Sequence, residues 1–203
     1  CALPIWYSPS VLVVYIREYC PAVECIARAY PSTRMDYKVD EILMKSPDFL
    51  AVDSSFQNIF PQAILYGREL MDEEDIIITE SFARKYFGDS QKALGTVLVQ
   101  TAKPGFYLPE PQYLKVVGIM ADAPTNSLLN YPGYYIGKGF PSPNLYDARS
   151  WQNENAFVHV KLKEDQESDA FITHLNTSLQ QMDFMKEKTF KAVPLSQKHF
   201  EFA

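Results

Sequence analysis

Hydrophobic and polar positions along this chain switch between a period near two and a period near four, and the switches mark its elements. Residues 3–7 are short and apolar, and Pro4 confines them to an edge strand or a strand start. Ser8-Pro9-Ser10 then offers a cap and a first-turn proline, and Leu12, Tyr15, Ile16 and Tyr19 recur at helical spacing, which predicts a helix over 9–19. The β-branched Val11, Val13 and Val14 favour a strand locally, so this helix depends on tertiary context. Beyond the stop at Pro21, residues 23–30 alternate as a strand, and 37–43 and 49–53 follow as extended segments.

The clearest local signal lies between Ile76 and Gly88. The buried-strand run Ile76-Ile77-Ile78 meets Thr79 as N-cap, Glu80 suits the positive end of the helix dipole, and Gly88 sits where the helix must stop. Phe82, Ala83, Tyr86 and Phe87 give the intervening helix its apolar stripe. Strands follow over 95–99 and 113–120, with a hairpin loop at 103–111, and residues 123–150 have the Pro, Gly, Asn and Tyr content of an anchored loop. Ala156, Val158, Val160 and Leu162 alternate with Phe157, His159 and Lys161 in a half-buried strand. Phe171, Leu175, Leu179 and Met182 form a helical stripe, and 189–195 read as a last strand.

Strand, helix, strand therefore occurs at both ends. The fold expected is α+β with two lobes: terminal segments 1–50 and 152–203 pair into one α/β lobe, and a strand-rich lobe, 51–151, is inserted between them.

Composition narrows the functional classes. With 203 residues and 47% hydrophobic content the chain can bury a core, and its net charge of −6 without a Lys/Arg cluster argues against a nucleic-acid partner. The longest apolar runs, such as 11–16, fall far short of the roughly 20 residues that span a bilayer, and the first residues lack the n-region and h-region of a signal peptide. Cys1, Cys20 and Cys25 are too few for a disulfide scaffold and lack the histidines of a zinc site, so no metal is expected. Cys20 and Cys25 flank Pro21, where a helix end and a strand start seldom bring two Cβ atoms to bonding distance; separate thiols are the expectation. Cys1 fits a processed lipoprotein as well as an arbitrary boundary.

Catalytic chemistry is thin. His159, His174 and His199 form no His-x-x-x-His pair, and His159 falls on the more polar face of its strand, which reads as a surface or edge histidine. Ser81 follows an apolar strand at a helix start, but Glu80 and Phe82 stand where a nucleophile turn needs small residues. The stretch from Gly133 to Lys138 is one residue short of a phosphate loop and is followed by Gly139 where Ser or Thr is required. Asp72, Glu73, Glu74 and Asp75 read as a solvated turn before a buried strand. No catalytic, cofactor-binding or metal residue is assigned, and no cofactor is expected.

Five phrases carry a family resemblance: VDSSFQNIFP (52–61), IITESFARKYFGD (77–89), YLKVVGIMADAPTNS (113–127), YCPAVECIAR (19–28) and WQNENAFVHVKLKE (151–164). Their order and spacing resemble the MacB-like periplasmic core domain of FtsX-type ABC transporter permeases. Residues 102–112 and 131–146 match no motif of that family.

The resemblance implies an extracytoplasmic domain between two membrane helices of a permease in the bacterial inner membrane, facing the periplasm and without an active site. Its implied partners are a cytoplasmic ATPase subunit reached through membrane helices, a second permease copy and a periplasmic protein. In this reading it couples cytoplasmic ATP hydrolysis to work outside the membrane. Two rivals stand beside it: a secreted or lipid-anchored binding module of the same fold, with Cys1 lipidated, and a hydrolase using Ser81 or a carboxylate pair.

Overall fold

Strand β1 (Ala2–Pro9), helix α1 (Leu12–Tyr19) and strand β2 (Val23–Pro31) open the chain in the computed structural model. It describes residues 2–31, 35–45, 47–102, 111–125, 127, 129–137, 151–152 and 154–192. Helix α1 starts later than its sequence suggests because Ser8 and Pro9 belong to β1, in an irregular register against Ala156 and Glu154, and the Ser8 hydroxyl donates to the Ile5 carbonyl instead of capping. Burial of Leu12, Val13, Tyr15 and Ile16 overrides the β preference of its valines.

The segment expected as one strand over 37–43 is a hairpin, β3 (Met35–Val39) and β4 (Ile42–Met44), turned at Asp40 with φ +48°. Then come β5 (Leu50–Val52), α2 (Phe56–Ile59), β6 (Ile64–Gly67), β7 (Asp75–Thr79) and α3 (Glu80–Phe87). Strands β8 (Val97–Ala102), β9 (Gln112–Met120), β10 (Gly133–Ile136) and β11 (Glu154–Leu162) precede helix α4 (Ser168–Leu179). The hairpin loop expected at 103–111 lies outside the described residues except for residue 111. Of the strand expected over 189–195, residues 189–192 form no strand and the rest lie outside the described residues.

The chain divides into two compact units. One gathers the described residues of Cys1–Ala29, Ser55–Phe60 and Gly139–Ala203; the other gathers those of Tyr30–Ser54 and Pro61–Lys138. In the first, β11 lies between β1 and β2 and is antiparallel to both. Its core includes Leu3, Ile5, Ile16, Val158, Val160, Phe171 and Leu175, with Trp151 edge-on to Tyr15 at 5.7 Å.

The second unit is a mixed sheet in the order β5-β10-β7-β9-β8-β3-β4, and β6 adds to the C-terminal half of β9. Strands β5 and β10 are parallel, as are β7 and β9; the other pairs are antiparallel. Hence the β3–β4 hairpin, inside the segment 1–50, joins this unit: β3 pairs with β8, and β4 with β3. Close approach at the β6–β9 crossing requires glycine. A Cβ on Gly118 would meet the Arg68 carbonyl oxygen at 2.3 Å, and Gly67, with φ +81°, would meet that of Val117 at 2.2 Å.

Candidate functional site

Helix α3 forms as its local signals require. The Thr79 hydroxyl accepts from the Phe82 N–H at 3.3 Å, and Gly88, at φ +76°, ends the helix with its N–H on the Arg84 carbonyl. Phe82 and Ala83 are buried, whereas Tyr86 and Phe87 are half-buried. The Phe82 ring stands edge-on to Phe49, centroids 5.0 Å apart, and Phe49 in turn meets Tyr37 at 4.8 Å.

Ser81 is held at that helix start by Asp122, a residue the sequence reading did not single out. The Ser81 N–H donates to one carboxylate oxygen at 3.2 Å and its hydroxyl donates to the other. Backbone N–H groups of a first helical turn have no partner within the helix, so a carboxylate there is a cap. Ser81 and Asp122 are both exposed. This arrangement secures a helix end.

The acidic run is not one solvated turn. Asp72, Glu73 and Glu74 are exposed, but Asp75 is 4% exposed and binds Arg68 through both oxygens at 2.6 and 2.9 Å. The N–H groups of Met71 and Asp72 donate to the same carboxylate. Burial pushes the Asp75 carboxyl up, but the Arg68 guanidinium and the two N–H groups outweigh it and hold the group below the ordinary carboxylate range. The pair ties the segment after β6 to the start of β7.

His159 corrects the sequence reading. It is 2% exposed, because α2 lies over that face of β11 and sets Phe60 and Phe56 edge-on to the imidazole at 5.0 and 6.1 Å. The preceding Ser55 hydroxyl donates to the Ile26 carbonyl at 2.7 Å, fixing α2 to β2. His174 is exposed on α4 with Nε2 3.3 Å from the Tyr19 carbonyl oxygen, and His199 lies outside the described residues.

Gly133 to Ile136 form a buried strand between β5 and β7, where a Cβ on Gly133 would meet the Ile77 carbonyl oxygen at 2.8 Å. That backbone already bonds its neighbouring strands and cannot cradle a phosphate. Cys20 and Cys25 are free thiols; burial pushes the first up to about 11 and raises the second. Among the described residues no group of three or more His, Cys, Asp or Glu could hold a metal, and no helix is long and apolar enough to cross a membrane.

A surface remains as the candidate. Across β4, β3, β8 and β9, Met44, Tyr37, Gln100 and Gln112 are buried, with Gln100 Nε2 donating to the hydroxyls of Tyr37 at 2.8 Å and Tyr135 at 3.2 Å. Side chains alternate across a strand, so Leu43, Lys38, Val99 and Tyr113 form a row on the opposite face.

Residues 6–177 match the family model described as the MacB-like periplasmic core domain. Three solved structures share the fold. One is a domain of a permease protein from Porphyromonas gingivalis, with TM-score 0.70, 20% identity and coverage of 95% of this chain and 88% of that one. The periplasmic region of MacB from Actinobacillus actinomycetemcomitans gives TM-score 0.64 at 12% identity, covering 95% and 87%. The extracellular domain of the noncanonic ABC-type transporter YknZ from Gram-positive bacteria gives 0.62 at 13%, covering 95% and 100%. No curated protein matches the chain.

Proposed function

The chain belongs to the MacB-like periplasmic core domain family, a non-catalytic family of permease domains, and on that premise we propose that it couples ATP hydrolysis in the cytoplasm to work outside the membrane. The family match over residues 6–177 carries this reading. In it, the domain stands between membrane helices of a permease subunit in a bacterial inner membrane, a separate ATPase subunit supplies the energy, and the domain contacts substrate or partner proteins in the periplasm. The unit holding the described residues of 1–29, 55–60 and 139–203 is the membrane-proximal lobe of this proposal, and the other unit is the inserted lobe.

The residues described above fit a part that moves without reacting. Ser81 is bound by the capping carboxylate of Asp122, Asp75 braces a loop and His159 is packed against the rings of Phe56 and Phe60. Hydrogen exchange on the full-length permease, reconstituted with its ATPase, tests the proposal. Trapping with ATP and vanadate is expected to change protection within residues 6–177; identical exchange with and without nucleotide would overturn the coupling role.

A further inference from the structure

The outer face of β4, β3, β8 and β9 combines features that a merely solvated sheet face does not need. Leu43, Val97 and Tyr113 are 49%, 43% and 57% exposed, and Val99 lies between Lys38 and Tyr113 in the same cross-strand row. Lys115 pairs in register with Val97. Both lysines are exposed, and neither forms an ion pair with another described residue, in a chain of net charge −6. Asp36 lies half-buried on this face one row away opposite Thr101, and Asp75, which pairs in register with Lys115 across β7 and β9, is taken up by Arg68.

We propose that this face docks a protein partner presenting carboxylates around an apolar centre, with Tyr113 as the anchor and Lys38 and Lys115 as the paired cations. A large aromatic side chain is the kind of residue that anchors an interface centre, and charges at its rim choose the partner. Covering the face with an uncharged surface would strand two lysines away from water, so the occupant must supply acidic groups. A second copy packed face to face about a two-fold axis would bring lysines against lysines. Two lysines raise attraction to an anionic bilayer only about thirty-fold, too little to hold the face on a membrane. The proposal rests on the permease reading, which requires a partner outside the membrane.

Photo-crosslinking in the full-length permease tests it. With p-benzoylphenylalanine at position 113, an adduct to a different polypeptide is expected, and mass spectrometry should place the crosslink in an Asp- or Glu-bearing segment. The same probe at Tyr66, exposed on β6 outside this face, should give none. Lys38→Glu with Lys115→Glu should weaken the adduct at least about tenfold, and Lys38→Arg with Lys115→Arg should keep it. An absent adduct, one indifferent to charge reversal, or one to lipid or to a second permease copy would overturn the proposal. Nucleotide-dependent exchange without an adduct at 113 would remove only the docking face; absent exchange changes would remove the coupling role whatever the adduct.

Discussion

Truncating Phe82 to alanine probes whether α3 is part of the core or an ornament on it. Phe82 is 7% exposed, with Phe49 edge-on at 5.0 Å and Tyr86 at 4.6 Å. Removing a buried phenyl ring costs about 3–5 kcal/mol in lost transfer energy and cavity, a figure that includes about 0.5–1.5 kcal/mol for the edge-on aromatic pair. Two local effects push toward the lower end. Alanine is the better helix former by up to about 0.7 kcal/mol, and the half-buried Tyr86 can lean into part of the space. The expected loss is therefore about 3 kcal/mol, a large share of the roughly 5–15 kcal/mol that stabilises a domain. Urea unfolding followed by far-UV circular dichroism measures it. Both tryptophans, Trp6 and Trp151, belong to the first unit, so tryptophan fluorescence reports separately on the unit without Phe82. A loss below about 1 kcal/mol would show that the ring is not a core element. Phe82→Leu, nearly conserving volume, should cost less than about 1.5 kcal/mol and separates size from aromaticity.

Asp75, held below the ordinary carboxylate range, contributes stability that is present above its unfolded value of about 3.9 and is lost as pH falls through the lower folded value. Thermal melts should show Asp75→Asn less stable at pH 7, with a flatter dependence on the acid side; an unchanged acid limb would refute the bracing role. Gly118→Ala forces a Cβ to 2.3 Å from a backbone oxygen and should cost at least about 1–3 kcal/mol, read from the urea midpoint; a neutral outcome would contradict the crossing geometry. Asp122→Ala removes the cap on Ser81 and should cost about 0.5–2 kcal/mol, with loss of amide protection confined to the first turn of α3; unchanged protection would show the cap to be idle.

What was readable from residues alone follows the range of the forces involved. Helix α3 was readable because its start, stripe and stop all act within one short segment, from Thr79 to Gly88. Its second cap was not, because Asp122 lies 41 residues from Ser81 and no local rule announces it. Strand β10 lies in a stretch of loop composition: Gly133-Tyr134-Tyr135-Ile136 is too short to show a period, and it is a strand because β5 and β7 bind both its edges. Alternation along β11 puts His159 on the more polar face of the strand. Alternation tells which side chains share a face but not what covers it, and here Phe56 and Phe60 do. The family phrases succeeded where these local rules ran out. IITESFARKYFGD and YLKVVGIMADAPTNS contain, respectively, β7 with α3 and β9 with Asp122, and those strands pair in parallel while Ser81 bonds Asp122. Their spacing along the chain therefore carries a long-range contact, and Asp122→Ala should weaken α3 although it leaves every local helix signal in place.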